Sequence, residues 1–236
     1  YSVYLAEYDV TAEVTPTDRA ASFRFTFPEN ETSYILLDGF DGGSMVKVIP
    51  EERKIIGYCQ NNHGGVPSNF RNHFVAVFDK DFEIVKTWKE DELQNGNSSE
   101  GFHVGAIVGF KTKKGEKVNV KVASSFISLE QAEINLSREI GDKTFDEIKK
   151  EGEEIWNKEL AKINVEGGTE EQQKTFYSSL YRTLLFPRKF YEFNAQNEIV
   201  HYSPYNGEVL PGYLFTDNGF WDTFRAVFPF FTLMYP

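Results

Sequence analysis

The sequence predicts an α+β chain of more than one domain: an N-terminal antiparallel β-sandwich, then linking helices, then the first part of a larger helical domain. Three observations carry this. Apolar and polar residues alternate with a period of two in many short segments up to about Ile127. From Ser128 onward the period becomes helical, and hydroxyl residues stand three positions before a Glu or Gln at successive helix starts. The last stretch, Gly212 to Pro236, carries aromatic residues at helical spacing that one or two helices cannot bury.

The alternation is clearest in SFRFTF, where Phe23, Phe25 and Phe27 alternate with Ser22, Arg24 and Thr26, and in VNVKVAS, where Val118, Val120 and Val122 do so. Further strands are predicted over 1–8, 33–37, 45–49, 54–59, 74–78, 82–88 and 102–110. Turn chemistry separates them at Pro28 to Asn30, at Asp41-Gly42-Gly43, at Asn95-Gly96-Asn97 and at Lys114-Gly115. Short strands with no helices between them describe a sandwich, which sets a first domain over 1–127.

Ser128 with Gln131, Thr144 with Glu147 and Thr169 with Gln172 are capping-box patterns, each opening a helix. The second helix places Phe145, Ile148, Ile155, Trp156, Leu160 and Ile163 on one side. The third carries Phe176, Tyr177, Leu180, Tyr181, Leu184 and Leu185 before Pro187 ends it. A helical linker over 128–166 and a helical domain beginning at 167 follow from this. From Phe190 to Leu214 the chain is rich in Tyr, Asn, Gly and Pro without periodicity, as in a long ordered loop or small hairpin at the rim of a helical domain. Beyond it Asp217, Asn218 and Gly219 can cap a helix whose apolar face is Trp221, Phe224, Phe228, Phe231 and Tyr235. Asp222 falls in its first turn, where a carboxylate is favoured, and Arg225 is spaced to hold it. Pro229 removes a donor, so a kink or two short helices are predicted.

Composition bounds the function. The chain has 236 residues, 40% of them hydrophobic, enough for one large core or for one domain and part of another. A formal net charge of −11 and a pI near 4.9 argue against nucleic acid and anionic membrane surfaces as partners. Neutral glycans are compatible with that charge. Cys59 is the single cysteine, so no intrachain disulfide and no thiolate metal site can form, and its strand-like context predicts a buried thiol. The longest apolar run, in AVFPFFTLMYP, is far shorter than the ~20 residues that span a bilayer. Asn30, Asn97 and Asn135 lie in Asn-X-Ser/Thr patterns. No phosphate loop, dinucleotide fingerprint, nucleophile elbow or paired-histidine metal motif is present.

Three places could carry recognition chemistry. Trp221 and Asp222 set an indole beside a fixed carboxylate at a helix start, which suits a sugar: the ring packs on axial C–H groups and the carboxylate accepts neighbouring hydroxyls. The same residues also suit an ordinary buried helix face. The loop from Cys59 to Phe74, with Asn61, Asn62 and His63, could reach from the sandwich toward the helical domain, or be a plain surface loop. Asp38 to Gly43 is acidic but lacks the alternating ligands and closing glutamate of a calcium loop, so it reads as a turn. His73 and His103 lie in or beside strands and read as structural, and His201 is a rim candidate.

The runs GFWDTFRAVFPFFTLMYP, FPRKFYEF and HYSPYNGEVLPGYLFTDN, extending back through SSFISLEQAEINL to YDVTAEVTPTDRAASFRFTFP, resemble glycoside hydrolase family 92, the calcium-dependent exo-acting α-mannosidases. The resemblance covers essentially the whole chain. It implies an N-terminal β-sandwich and the opening of an (α/α)6 catalytic barrel, whose remainder would be the partner of this chain. It implies inverting hydrolysis of terminal α-linked mannose from an N-glycan or a mannan, with Trp221 and Asp222 in the pocket for the terminal mannose, Arg225 supporting Asp222, and His63 as a further contact. The catalytic carboxylates and most calcium contacts are implied to lie in later parts of the barrel, so the chain alone would be inactive and would hold no metal itself. The family is commonly exported by glycan-degrading bacteria, which implies a periplasmic or cell-surface location. A carbohydrate-binding sandwich without catalysis, and a sandwich-plus-barrel enzyme acting on glucosides, remain alternatives.

Overall fold

The computed structural model describes residues 1–235. The sandwich strands are β1 (Ser2–Leu5), β2 (Val10–Pro16), β3 (Ala20–Phe27), β4 (Asn30–Asp38), β5 (Ser44–Ile49), β6 (Lys54–Cys59), β7 (Asn72–Phe78), β8 (Ile84–Lys89), β9 (Glu92–Gln94), β10 (Ser98–Gly101), β11 (Val104–Thr112) and β12 (Glu116–Ser125). One sheet runs β1-β2-β3-β12-β7-β6-β5-β10 and the other β4-β11-β8-β9, with antiparallel pairing throughout.

The strand predicted over 1–8 is instead a short strand, a turn and the start of a second strand. Tyr8 N–H donates to the Leu5 carbonyl at 3.0 Å, Asp9 takes φ of 52°, and the Tyr4 hydroxyl donates to the Asp9 carboxylate at 2.9 Å. Strand β2 escapes the period-two reading because its Glu13 and Thr15 face is covered by a helix rather than by water. Strands β9 and β10 are short, polar and at sheet edges, and leave no pattern to read.

The core between the sheets is built from Val46, Val48, Ile55, Ala76, Phe78, Val118 and Val120 on one side and Val104, Ala106, Val108 and Phe110 on the other. The larger sheet is covered on its second face as well. Val75, Ala123 and Ala20 there meet Ala132, Ile140 and Ile148 of two helices, with Ile56 and Val77 at the margin. Burial on both faces is why β6 and β7 read as nearly continuous apolar runs (KIIGYC, NHFVAVF).

The helices that cover this face are α1 (Leu129–Glu139) and α2 (Phe145–Leu160), and α3 (Glu170–Thr183) packs on α2. Thr144 and Thr169 form complete capping boxes with Glu147 and Gln172. Ser128 supplies only half of one: its hydroxyl accepts from Gln131 N–H at 3.1 Å, but the Gln131 side chain turns inward to Asn135 and the Phe193 carbonyl. On α2 Phe145 and Ile148 are buried, whereas Ile155 is exposed. Arg24, on the polar side of β3, spans to α2 by donating to Glu13 and to Asp146 with its guanidinium over the Phe145 ring.

The region predicted as a loop or hairpin holds a three-stranded sheet, β14 (Tyr191–Phe193), β15 (Ile199–Tyr202) and β16 (Val209–Pro211). A second small ladder pairs β13 (Arg188–Lys189) with β17 (Phe215–Thr216). Tyr and Pro residues spaced irregularly around three-residue strands leave no period to detect. Two short helices close the chain, α4 (Phe220–Thr223) and α5 (Val227–Met234). The break falls at Phe224 to Ala226, and Pro229 sits in the first turn of α5, where its missing N–H leaves no helical bond unmade.

Candidate functional site

The Trp221–Asp222 segment is placed by the ladder before it. Arg188 pairs with Thr216 and Lys189 with Phe215, and Phe190 N–H donates to the Leu214 carbonyl at 2.8 Å. The chain then turns at Asp217, whose φ of 60° is left-handed and whose carboxylate meets Arg188 at 3.4 Å. Because Asp217 is engaged there, α4 starts at Gly219 without a side-chain cap. Glycine suits that position: a Cβ on it would run into the Asp222 carboxylate, which folds back over the helix start. Asp222 lies in the first turn, as the spacing predicted.

Trp221 is 71% exposed, Phe220 68% exposed, and Asp222 is also at the surface. Among the described residues nothing covers the indole except its own neighbours. Arg225 does not hold Asp222. Its guanidinium lies over the Trp221 ring at 4.7 Å and the Phe224 ring at 4.5 Å, and donates to the Trp221 carbonyl at 3.3 Å. A four-residue helix ends before the i+3 geometry that the pairing needs is complete, and two aromatic faces offer the cation an alternative seat. The aromatic face predicted as one stripe is divided between α4 and α5, which meet through Phe220 against Phe228, while Phe231 packs on Tyr235 at the end of α5. Tyr235 rests under the Lys162 ammonium at 3.7 Å, just beyond the end of α2.

The loop between β6 and β7 does reach the C-terminal region. Asn69 donates to the Gly207 carbonyl at 2.9 Å and accepts from the Tyr202 hydroxyl at 3.0 Å, while Phe70 packs on Phe126 and Tyr202. Burial pushes the Tyr202 phenol above its ordinary value, which keeps it a neutral donor. His63 is exposed at the other end of that loop, beside Gly64 and Gly65 at φ of 90° and 82°. No hydrogen bond or aromatic contact joins His63 to α4 among the described residues.

The other candidates have structural partners. His103 Nε2 is 2.8 Å from Asp38, and His201 Nδ1 is 2.8 Å from the Gly212 carbonyl. His73 is half-buried, and burial, helped by Arg71, lowers its affinity for a proton below the usual histidine range. The acidic turn is organised by Asp38 accepting from Phe40 N–H at 2.7 Å and Asp41 accepting from Asn61 at 2.7 Å. Cys59 is half-buried rather than enclosed. Asn135 is buried, so its pattern is not a usable glycosylation site.

One charged residue of consequence is invisible in sequence. Glu192 is 2% exposed, and its two oxygens accept from Phe126 N–H at 3.0 Å and Asn135 Nδ2 at 2.6 Å. It is a structural carboxylate. Among the described residues no group of three or more His, Cys, Asp or Glu side chains converges. No helix of the described residues is long and apolar enough to cross a membrane.

Two family profiles divide the sequence: that of the glycosyl hydrolase family 92 N-terminal domain matches residues 1–125, and that of the family 92 catalytic domain matches residues 131–236. Among solved structures, a family GH92 inverting mannosidase from Bacteroides thetaiotaomicron VPI-5482 superimposes with a TM-score of 0.94 at 45% identity, over 98% of this chain and 32% of the other. A family GH92 α-mannosidase from Bacteroides thetaiotaomicron gives a TM-score of 0.85 at 29% identity, again over 98% of this chain and 32% of its own. The same mannosidase in complex with mannoimidazole gives the same score and identity. No curated protein matches the chain. The chain therefore spans about a third of the length of these relatives, and it belongs to glycoside hydrolase family 92.

Proposed function

We propose that this chain is the N-terminal sandwich, linking helices and first barrel segment of a calcium-dependent, inverting, exo-acting α-mannosidase. In this reading the sandwich domain is 1–127, the helical linker 128–166 and the start of the (α/α)6 catalytic domain 167–236. Trp221 and Asp222 form part of the pocket for a terminal α-linked mannose. The observation that carries this is the exposed indole of Trp221 beside the Asp222 carboxylate at the start of α4, in a chain of this family with mannosidase structural neighbours. The indole offers its face to the C–H groups of a pyranose and the carboxylate accepts its hydroxyls. Arg225, stacked on Trp221, stiffens the indole instead of orienting Asp222. His63, on the loop that Asn69 ties to the rim sheet, is the sandwich side chain assigned to substrate contact.

Inverting hydrolysis needs an acid on the leaving oxygen and a base that activates water, ~6.5–9.5 Å apart. Glu192 is committed to structure. As the family resemblance implies, both catalytic groups and most calcium ligands are assigned to the remainder of the catalytic domain, and this chain alone is expected to be inactive. An N-glycan or mannan is the substrate class, and an exported, periplasmic or cell-surface location is proposed from the family resemblance.

The test is release of mannose from an α-linked mannobiose by the complete parent polypeptide, with NMR identifying the anomer formed, with and without a calcium chelator, and with Trp221→Ala and Asp222→Asn. The expected result is chelator-sensitive release of β-mannose, with kcat/KM reduced about 100-fold or more by either substitution, as for loss of a charged or stacked ligand contact. Unchanged kcat/KM in both variants would remove Trp221 and Asp222 from the pocket. Release of α-mannose would refute inversion.

A further inference from the structure

We infer that Glu192 is a positioning residue for the Trp221–Asp222 turn, acting from inside the joint between the sandwich and the catalytic domain. The inference rests on the assignment of that turn to sugar binding for its functional consequence, but its structural part stands independently.

A carboxylate at 2% exposure is costly unless its oxygens are satisfied, and among the described residues no cation pairs with it. It is held instead by two N–H donors from the sandwich side: Phe126 N–H, just past the end of β12, and the Asn135 side chain in the middle of α1. Asn135 is itself fixed, since its amide also donates to the Ser124 carbonyl at 2.9 Å and its oxygen accepts from Gln131 at 3.0 Å. Gln131 donates in addition to the Phe193 carbonyl at 2.8 Å, the residue after Glu192. The buried network thus ties β14 to the end of β12 and to α1, and Arg138 of α1 adds bonds to Asn197 and the Asn194 carbonyl in the turn that follows β14.

From β14 the link to the turn is short. The Tyr191 ring packs edge-on against Tyr213 at 4.8 Å and Phe215 at 5.6 Å. Strand β13, one residue upstream of β14, pairs with β17, and Trp221 follows β17 through the left-handed Asp217. Arg19 adds a second tie on the outside, donating to the carbonyls of Lys189 at 2.5 Å and Tyr191 at 3.1 Å. A shift of Glu192 is therefore transmitted through the β13–β17 ladder and through the packing of Tyr191 on Tyr213 and Phe215.

The test uses Glu192→Gln in the complete parent polypeptide. A carboxamide matches the carboxylate in size but can accept at only one of its two ends, so one of the two buried bonds is replaced by a donor facing a donor. The expected result is about tenfold faster amide exchange in 188–193 and 215–223, from loss of one charge-assisted bond, with β3, β7 and β12 unchanged. Mannoimidazole affinity, read by calorimetry, should fall by a similar factor, and Glu192→Gln should add little to Trp221→Ala, since both act on one turn. Faster exchange with unchanged affinity would keep the positioning role and sink the sugar-pocket assignment. Unchanged exchange at 215–223 would overturn the inference whatever the affinity. If Glu192→Gln does not fold, Arg19→Gln removes the outer tie to the same strands from a half-buried position and is held to the same exchange criterion.

Discussion

Arg24 should be the residue whose loss most weakens the docking of α2 onto the sandwich. Its side chain is 13% exposed and has three partners. The guanidinium grips Glu13 with two bonds, at 2.7 and 3.0 Å, reaches Asp146 at 2.9 and 3.1 Å, and stacks over Phe145 at 4.1 Å. The bidentate bond to a mostly buried glutamate contributes about 1.5–3 kcal/mol. The Asp146 arm is worth only ~0.2–1 kcal/mol because that side chain is 73% exposed. The stacking on Phe145 adds about 0.5–1 kcal/mol. Arg24→Ala should thus cost roughly 2–5 kcal/mol, a fall of roughly 5–15 °C in melting temperature for a chain of this size. Amide exchange across Phe145–Leu160 should rise with it, and Arg24→Lys, which keeps the charge but loses the fork, should fall between. The hydrogen bonds from Arg24 hold the Glu13 carboxyl below its ordinary value of 4.5. A depressed folded value means the pair stabilises fully above that ordinary value and loses its contribution as pH falls through the folded one. The gap between parent and Arg24→Ala should therefore be constant around neutral pH and close on acidification below the usual glutamate range. A melting temperature within about 1 °C of the parent, with α2 exchange unchanged, would show that Phe145 and Ile148 packing alone holds the helix.

Ile148→Ala, at a fully buried position between α2 and the larger sheet, should cost about 2–5 kcal/mol in denaturant unfolding, whereas Ile155→Ala at the exposed side of the same helix should stay within about 0.5 kcal/mol; equal effects would mean that the helix face is misassigned. Gly105→Ala should cost roughly 1–3 kcal/mol and shift Trp88 emission, because a Cβ there would run into the Trp88 ring and the Leu37 carbonyl oxygen. An unshifted spectrum would refute that close approach.

What was legible in sequence is what depends on neighbours along the chain. Alternating residues on β3 and β12, the hydroxyl caps at Ser128, Thr144 and Thr169, the placement of Asp222 in a first helical turn and the interruption before Pro229 are all local. Each follows from backbone geometry and the residues within a turn or a strand of it.

Tertiary structure decided the features in which a side chain had more than one possible partner. Arg225 could pair with Asp222 by spacing, yet two aromatic faces closer to hand took it. Gln131 could complete a capping box, yet the buried joint claimed it for Asn135 and Phe193. Glu192 has no signature in its local sequence, because its partners, Phe126 and Asn135, lie far away in the chain and on different elements. The sequence by itself determined a sandwich followed by helices and the family to which they belong. Only the folded chain decided how the two parts are joined, because a buried polar joint is set by long-range geometry that residue spacing does not encode.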